Sequence, residues 1–385
     1  MESFMSIFSH APQRRFSAPG RTELGGNHTD HQHGCVLAAA IDLDTTADVA
    51  ENDLMRWRLY SEGYGLSDVD LTDLARRDSE TGTSTAVVRG VAARLTELGY
   101  PLRGFDAYVT SRVLAGSGLS SSAAFEVLVG TIANALFCGG ALTAVEIAQV
   151  GQWAENVYFG KPCGLMDQTA SSVGGVVAID FKDPARPVVE PITFDLTGHG
   201  YALCMIDTGS SHADLTGEYA AIPREMGAVS RYFGKEFLRD VAPADFYADL
   251  SGARRRCGDR AVLRAMHFFE ENTRAQAMAE ALRRDDLDAY LRLVNASGES
   301  SWLYLQNVTP AGATEQQPMA LTLALCRKLL GGAGAARVHG GGFAGCVQCY
   351  VPLAMLPDFR RGIEAALGAG RCTVLSFRAA GGTER

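Results

Sequence analysis

The sequence predicts a folded chain that combines helices and strands in two domains. Hydrophobic residues make up 47% of the 385 positions and charged residues 21%, a balance typical of globular proteins. A length of 385 residues also exceeds what one hydrophobic core usually supports. Stretches with helical periodicity alternate with stretches of strand character, and the 42 glycines indicate many loops. These observations together favour a mixed architecture of helices and strands.

The first half of the chain contains a helix that is followed by a strand. Residues 85–101 repeat valine and leucine on one helical face, and Gly99 and Pro101 predict where that helix stops. Residues 105–111 then alternate apolar and polar side chains, as a half-buried strand does. A glycine loop that opens a further helix follows directly, at residues 115–124.

An uncharged stretch over residues 127–145 has about the length of a membrane span. Asn134 interrupts it, and Thr143 with Glu146 forms the capping-box pattern that starts a new helix. We therefore expect two shorter buried helices and no membrane partner. The first residues lack a basic segment followed by a long apolar core, so we expect no signal peptide and a cytoplasmic location.

The second half of the chain is predicted to begin near residue 190. Residues 174–181 and 201–209 have strand character, and the charged, proline-containing residues 182–195 between them suit a turn or linker. We therefore predict an N-terminal domain over residues 1–190 and a C-terminal domain over residues 191–385. The later helices and closing strands are predicted at residues 253–295, 314–331, 335–339, 346–351 and 372–377.

Net charge and cysteine content exclude several classes of function. The formal charge of −9 disfavours binding to nucleic acid or to anionic membranes, since both need a positive field. The nine cysteines are odd in number and widely scattered, which indicates reduced thiols in a cytosol rather than disulfides. Cys346 and Cys349 form a CxxC pattern within a strand-like stretch, where residues three apart face opposite sides. We therefore expect no metal or redox chemistry there.

The stretch AGSGLSSSAA, residues 115–124, is the strongest indication of a ligand site. Gly116 and Gly118 allow a ligand to approach the backbone closely, and the serines after them begin an apolar helix. The free N–H groups and the dipole at a helix N-terminus attract anions, so we predict a phosphate site. The lysine of the common P-loop is absent, and the alternative is an ordinary helix cap with spare serines.

Two carboxylates would suit a phosphate site. Asp167 lies in the Gly- and Ser-rich residues 160–175, where a lone aspartate usually caps or turns the chain. Beside a phosphate site it would instead suit the acceptance of a proton from a hydroxyl group. Glu155 would otherwise be a solvated charge on a helix. Together with a serine hydroxyl it offers the oxygen ligands that Mg²⁺ prefers.

Two further glycine-rich stretches have more than one interpretation. VHGGGFAGC, residues 338–346, permits either a tight crossing of two strands or a ligand against the backbone. GRTELGGNHTDHQHG, residues 20–34, holds three histidines and Asp30 in a spacing unlike that of known zinc sites. We therefore favour a binding loop for a polyol, with Arg21 at its head, over a metal site.

Taken together, these stretches resemble motifs of the GHMP small-molecule kinases and, among them, of the galactokinase family. GRTELGGNHTDH is similar to the galactokinase signature G-R-x-N-L-I-G-E-H-T-D-Y. GSGLSSSAA resembles the phosphate loop of the family, CGLMDQ its catalytic-aspartate segment and HGGGFAGC its third glycine motif. The motifs follow in the order of the family and span residues 20–346.

The resemblance implies an α+β, two-domain GHMP kinase fold, with a ribosomal-protein-S5-like N-terminal domain and a ferredoxin-like C-terminal domain. It implies phosphorylation of D-galactose at the anomeric hydroxyl by ATP and Mg²⁺, in a monomer or weak dimer. Asp167 would be the catalytic base, and Arg21 would stabilise charge on the transferred phosphoryl group. The implied sugar contacts are Asn27, His28, Asp30 and Tyr219. The implied phosphate contacts are Gly116, Ser117, Gly118, Leu119, Ser120, Ser121 and Ser122, and the implied Mg²⁺ ligands are Ser122 and Glu155.

Several residues of this stretch differ from the signature, and one of them is Gly25, which replaces a bulky aliphatic residue. Asn27 stands where the pattern has glutamate, and His31 where it has tyrosine. Because a neutral amide would tolerate a substrate carboxylate, a kinase for another hexose such as galacturonate is one alternative. A catalytically silent, galactokinase-like sugar sensor is another. If Asn27 binds a sugar hydroxyl, Asn27→Glu is expected to keep or improve galactose use.

Overall fold

The computed structural model describes residues 2–113, 118–210 and 215–385, which form helices and strands throughout. The strands are β1 (Arg14–Gly25), β2 (Cys35–Asn52), β3 (Arg56–Ser61), β4 (Gly65–Asp70), β5 (Gly104–Ser111), β6 (Val176–Asp180), β7 (Val188–Ile192), β8 (Tyr201–Asp207), β9 (Ala335–Val338), β10 (Cys346–Pro352), β11 (Cys372–Leu375) and β12 (Thr383–Glu384). The helices are α1 (Phe4–Phe8), α2 (Ser84–Glu97), α3 (Ser121–Phe137), α4 (Ala144–Ala154), α5 (Met166–Val173), α6 (Thr216–Tyr232), α7 (Pro243–Ala248), α8 (Leu250–Cys257), α9 (Asp259–Arg283), α10 (Leu287–Ser300), α11 (Pro318–Leu330) and α12 (Leu356–Leu367).

The described strands form two sheets that are mainly antiparallel. The larger sheet has eight strands: six follow the order β12-β1-β2-β5-β3-β4, while β6 pairs with β2 and β7 pairs with β6. The smaller sheet has four strands in the order β11-β8-β10-β9. In the larger sheet β3 and β5 run parallel.

Strands β1 and β2 form the centre of the larger sheet and position the residues of the opening glycine-rich stretch. The first half of β2 pairs with β6 and its second half pairs with β5. The pairing of β1 with β2 shifts in register between Pro19 and Arg21, and again between Glu23 and Gly25. Proline has no N–H for the ladder, and a bulge turns neighbouring side chains away from their regular directions. The segment from Arg21 to Glu23 therefore lies between two irregularities in the pairing of β1 with β2.

The uncharged stretch over residues 127–145 forms parts of the two helices α3 and α4, as predicted. The Thr143 hydroxyl accepts a hydrogen bond from the Glu146 N–H at 3.2 Å, and the Glu146 carboxylate accepts one from the Thr143 N–H at 2.8 Å. This capping box starts α4 and separates it from α3. No helix in the described ranges is long and apolar enough to cross a membrane.

Buried apolar side chains connect the sheets to the helices. One core lies between the larger sheet and helices α2–α4 and includes Trp57 and Phe105, whose ring centroids are 4.9 Å apart. A second core lies between the smaller sheet and helices α11 and α12. A third contains Leu37 of β2, Met278 of α9 and Leu203 of β8. The two sheets therefore share a core through α9 and α10.

The stretch predicted as a linker contains a strand. β7 lies within residues 182–195 and pairs antiparallel with β6, so the linker prediction is wrong for the residues of β7. The end of the chain also returns to the larger sheet, where β12 pairs with β1. A boundary at residue 190 falls inside β7. The division into residues 1–190 and 191–385 stays a proposal.

Candidate active site

A cavity of about 350 Å³ brings together residues that are more than three hundred positions apart in the sequence. Its lining includes Arg21, Asn27, His28, Asp30, Asp167 and Tyr219, all of which the sequence predicts as site residues. A larger cleft of about 580 Å³ is lined by residues of α4, by Arg94 of α2 and by neighbouring loops, and by none of these predicted residues. The smaller cavity is therefore the candidate active site, because it alone of the two combines the predicted residues.

Arg21 and Asp167 form a bidentate ion pair at one side of the cavity. The Arg21 Nε donates to Asp167 Oδ1 at 2.7 Å, and Nη2 donates to Oδ2 at 2.6 Å. The remaining Arg21 nitrogen, Nη1, donates to the carbonyl oxygen of Gly118. The backbone N–H of Arg21 donates to the carbonyl oxygen of Leu119 at 3.0 Å. These contacts fix the guanidinium between the carboxylate and the start of the predicted phosphate loop.

Asp167 stays accessible although it is paired. It lies in the first turn of α5. The exposed fraction of its side chain is 31%, whereas that of the Arg21 side chain is 9%. Burial, the largest influence, raises the pKa of Asp167, but the charge and hydrogen bonds of Arg21 and the hydroxyl of Ser120 lower it below its ordinary value. The group is therefore a carboxylate at neutral pH with an oxygen atom that a ligand can reach.

The described part of the phosphate loop leads into α3. Ser120 precedes that helix in a left-handed conformation, with φ of 55°, and its hydroxyl donates to Asp167 Oδ2. A non-glycine residue with such a φ is uncommon and is typical of functional sites. Ser122 is exposed in the first turn of α3 and Leu119 is buried. Gly116 and Ser117, which the sequence predicts as phosphate contacts, lie outside the described residues.

The loop after β1 is held against α9. The Gly26 N–H donates to Glu271 at 3.1 Å, and His267 Nε2 lies 2.9 Å from the carbonyl oxygen of Asn27. The Asn27 side chain is completely buried, and its amide nitrogen donates to the carbonyl oxygen of Gly340 at 2.6 Å. The loop position is therefore set by contacts with the C-terminal half of the chain.

Gly26 is the residue in this loop that tolerates a side chain least. Its φ is +86°, and a Cβ there would lie 2.4 Å from the Cys35 carbonyl oxygen and 2.7 Å from Val36 Cα. We expect Gly26→Ala to lower the free energy of unfolding by about 2 kcal/mol or more, as measured by urea denaturation. Gly63→Ala is the control, since Gly63 has a φ of +79° with nothing within 4 Å, and it should cost about half as much or less. Equal losses in the two variants would contradict this account of Gly26.

His28, Asp30 and Tyr219, which the sequence predicts as sugar contacts, line the cavity. His28 Nε2 lies 3.1 Å from the Gly341 carbonyl oxygen, and burial lowers the pKa of His28 to about 3, so the ring is neutral. The Tyr219 hydroxyl donates to the carbonyl oxygen of Gly342 at 2.7 Å. The third glycine motif therefore contacts three of the predicted sugar residues, Asn27, His28 and Tyr219, through its backbone.

The histidines of the opening stretch lie in different surroundings. His31 lies near His28, with ring centroids 5.4 Å apart, and lines the cavity. His33 stacks on Phe237 at 3.6 Å between centroids. Among the residues that the structure describes, no group of three or more His, Cys, Asp or Glu side chains is arranged to hold a metal ion.

Glu155 belongs to a buried polar cluster beside Asp167. Lys161 Nζ lies 3.2 Å from Glu155 Oε1, and the Gln168 amide donates to Glu155 at 3.0 Å and to Glu126 at 2.8 Å. Burial, followed by the charge of Glu155, raises the pKa of Glu126 well above its ordinary value. Within the described ranges, Glu126 Oε1 has no hydrogen-bond partner. Two carboxylates therefore lie close together under the first turn of α5.

Sequence reasoning missed two buried residues beside the cavity, Glu23 and His339. His339 Nε2 accepts a hydrogen bond from the Glu23 N–H at 3.3 Å, and burial lowers the pKa of His339 well below its ordinary value. A signal for Glu23 was present in the sequence, since glutamate occupies the position where the signature has asparagine. No comparable signal distinguished His339.

Two family models match this chain. The model of the GHMP kinases N terminal domain matches residues 86–175, and that of the galactokinase galactose-binding signature matches residues 2–51. A galactokinase of Actinobacillus pleuropneumoniae serotype 3 is 32% identical over 370 residues, covering 94% of this chain and 91% of that protein. A galactokinase of Streptomyces coelicolor is 33% identical over 375 residues, covering 96% and 92%. The chain belongs to the galactokinase family.

Solved structures agree with this assignment. The crystal structure of Lactococcus lactis galactokinase complexed with galactose superimposes with a TM-score of 0.83 at 26% identity, over 99% of this chain and 97% of that one. A mevalonate kinase at 14% identity, with a TM-score of 0.66 over 95% and 99% of the two chains, shares the fold alone. The predicted family, its sugar kinase activity and the α+β, two-domain GHMP kinase fold are therefore confirmed for this galactokinase family member.

Proposed function

We propose that this chain transfers the γ-phosphoryl group of ATP to the anomeric hydroxyl of D-galactose and so forms galactose 1-phosphate. The observation that carries this proposal is the ion pair of Arg21 with Asp167, which lines a cavity between the predicted phosphate loop and the predicted sugar residues. Galactose and ATP are accordingly its proposed small-molecule partners. Monomer or weak dimer stays our expectation for its assembly, and cytoplasm for its location.

Asp167 has the position and charge to orient the attacking hydroxyl. Its pKa lies below the ordinary aspartate value, so it is a weak base that remains ionised at neutral pH. Phosphoryl transfer through a loose transition state needs the nucleophile placed in line more than it needs early proton removal. We therefore propose that Asp167 accepts a hydrogen bond from the anomeric hydroxyl and takes its proton as the new P–O bond forms.

Arg21 has the position to neutralise charge on the transferred group. It contacts Asp167 on one side and the Gly118 carbonyl oxygen on the other, so it lies between the proposed sugar site and the proposed phosphate site. Donors that are already fixed where charge develops stabilise a transition state without further reorganisation. The phosphates of ATP are proposed to bind along residues 116–122, at the N-terminus of α3.

Magnesium suits the donors next to this site. Ser122 is exposed at the start of α3, and Glu155 is a buried carboxylate that accepts from Lys161 and from Gln168, the residue next to Asp167 in the chain. Mg²⁺ prefers hard oxygen ligands and is usually held by one or two carboxylates together with substrate phosphates and water. Bound there, the ion would supply charge neutralisation on the phosphate oxygens. We propose Ser122 and Glu155 as its protein ligands.

Ser122→Ala and Glu155→Gln are each expected to raise the Mg²⁺ concentration needed for half-maximal activity, by about tenfold or more. Each variant removes one oxygen ligand from an ion that tolerates poor geometry badly. The measurement is initial rate against free Mg²⁺ at saturating ATP. Glu97→Gln, at an exposed position of α2, serves as the control and should match the wild-type curve. An unchanged Mg²⁺ dependence in both test variants would remove these residues as ligands.

The two alternatives from the sequence are not favoured. The carboxylate of an acidic hexose such as galacturonate would lie close to carboxylates of the protein, because Glu23, Asp30 and Asp167 all line the cavity. Like charges in a poorly solvated site repel by several kcal/mol at close range. A catalytically silent sensor would have no need of an intact ion pair between Arg21 and Asp167.

The test of the proposed function is a panel of sugars assayed for ATP-dependent phosphorylation. We expect kcat/KM for galactose to exceed that for galacturonate by a few hundredfold or more. Glucose and a reaction without sugar complete the panel. ATP consumption with galacturonate in preference to galactose would support the first alternative, and sugar binding without any turnover would support the sensor.

A further inference from the structure

Among its differences from the family signature, the opening motif has an exchange of two side chains. In G-R-x-N-L-I-G-E-H-T-D-Y an asparagine and a glutamate stand four positions apart, and this chain has Glu23 and Asn27 at the same two positions. The two residues contact each other, since the Asn27 amide donates to Glu23 Oε1 at 3.1 Å. The carboxylate and the amide of the motif are both present, with their positions reversed.

We propose that Glu23 and Asn27 act as one exchanged recognition unit, in which Glu23 supplies the carboxylate acceptor for a sugar hydroxyl and Asn27 orients that carboxylate. This inference rests on the proposed function, because it assigns a specificity-determining residue to the same cavity. Glu23 touches the sugar in this account. Asn27 acts through Glu23 as a positioning residue.

The contacts of Asn27 leave its amide little capacity for a ligand. Its nitrogen donates to the Gly340 carbonyl oxygen at 2.6 Å and to Glu23, which uses both of its protons. Its oxygen accepts from the Asn307 amide at 2.9 Å. The side chain is completely buried. Asn27 therefore links Glu23 to two segments of the C-terminal half instead of reaching a sugar hydroxyl itself.

The contacts of Glu23 leave one carboxylate oxygen for a ligand. Oε1 accepts from Asn27 and from the fully buried guanidinium of Arg337. Among the described residues, Oε2 has the Asn27 amide as its hydrogen-bond partner, at 3.4 Å. Glu23 is 4% exposed and lines the cavity. Burial, the largest influence, raises the pKa of Glu23, while the charge and hydrogen bond of Arg337 act against that rise. A firmly held carboxylate at a cavity wall is a good acceptor for a hydroxyl donor.

The exchange reverses the expectation for Asn27→Glu. A glutamate at position 27 would place a second carboxylate against Glu23 and would lose the donor to Gly340. Asn27→Glu alone is therefore expected to weaken galactose binding. The double variant Glu23→Asn/Asn27→Glu restores the order of the signature, with one carboxylate and one amide in contact.

The experiment is calorimetric titration of the full chain with galactose and its monodeoxy analogues, without ATP, so that binding is measured apart from turnover. Glu23→Gln is expected to raise the Kd for galactose by about 10- to 100-fold. One deoxy analogue, which lacks the hydroxyl that Glu23 binds, should bind wild type and Glu23→Gln equally. Asn27→Glu should raise the Kd by about tenfold or more, and the double variant should recover most of that loss.

A matched control separates recognition from loss of a buried ion pair. Glu80→Gln removes the carboxylate partner of the buried Arg89, outside the cavity, and should leave the Kd for galactose unchanged. A Kd for galactose that is unchanged in Glu23→Gln would overturn the inference, as would equal losses for galactose and every analogue, or a double variant no better than Asn27→Glu. Failure of the wild type to phosphorylate galactose would instead contradict the proposed function.

Discussion

Asp167→Asn is expected to lower kcat for galactose by about 10²- to 10⁴-fold, because an amide cannot accept the hydroxyl proton. The change keeps the shape of the side chain. The amide nitrogen can no longer accept a hydrogen bond from Arg21, so one of the two bonds of the pair is lost. Galactose affinity should change by less than about tenfold, since most of the predicted sugar contacts remain. The measurement is kcat at saturating ATP together with the Kd for galactose.

Asp106→Asn is the matched control for this prediction. Asp106 is a buried residue of the larger sheet and lies outside the cavity. Its two carboxylate oxygens accept hydrogen bonds from Arg58 Nε and Nη2, each at 2.7 Å. The same chemical change there should lower stability and leave kcat within about twofold of wild type. Wild-type turnover in Asp167→Asn, or equal losses of kcat in the two variants, would remove Asp167 from the reaction.

Arg21→Met is expected to lower kcat by about 10³-fold and to move the acid limb of the kcat profile to higher pH. The rate falls because the charge between the carboxylate and the phosphate loop is lost. The pH shift follows from the pKa of Asp167, which burial raises and Arg21 lowers in the wild type. Without Arg21 the influence of burial prevails, so Asp167 takes up its proton at a higher pH as the solution is acidified. The measurement is kcat against pH at saturating substrates.

Arg58→Met provides the comparison, since it breaks the bidentate pair with Asp106 outside the cavity. Its pH profile should coincide with that of the wild type, even where its melting temperature is lower. An acid limb that moves to lower pH in Arg21→Met would contradict the proposed effect of Arg21 on Asp167. An unchanged kcat would remove Arg21 from charge stabilisation.

Much of the candidate site could be predicted because its residues lie in short motifs. Arg21, Asp167 and Tyr219 come from three separate stretches, yet each lines the same cavity. Glycine loops and charged residues at helix starts indicate chemistry locally, without knowledge of the packing. The two helices α3 and α4 were predictable for the same reason, because a capping box is a local signal.

The remaining features depend on contacts that no local pattern specifies. Asn27 lines the cavity, and its predicted role at the sugar stays a prediction. Its amide bonds Glu23, Gly340 and Asn307, and two of these partners lie about three hundred positions away. The prolines and charges of residues 182–195 predict a linker, whereas the part of that stretch over Val188–Ile192 is a strand that pairs with β6. The sequence likewise gives no sign of whether the Glu155 side chain is buried or solvated. In the structure it lies in a buried cluster with Glu126, and the Gln168 amide donates to both carboxylates.

The most direct test of the central claim is the position of the phosphate on the product. Galactose labelled with carbon-13 at C1 is incubated with ATP, Mg²⁺ and the full chain, and the product is examined by carbon and phosphorus NMR. The account predicts that the labelled C1 signal shifts and splits through coupling to phosphorus, with the α configuration, and that Asp167→Asn forms this product at least a hundredfold more slowly. A labelled C1 signal that stays uncoupled while ATP is consumed, or phosphate attached at another carbon, would contradict it.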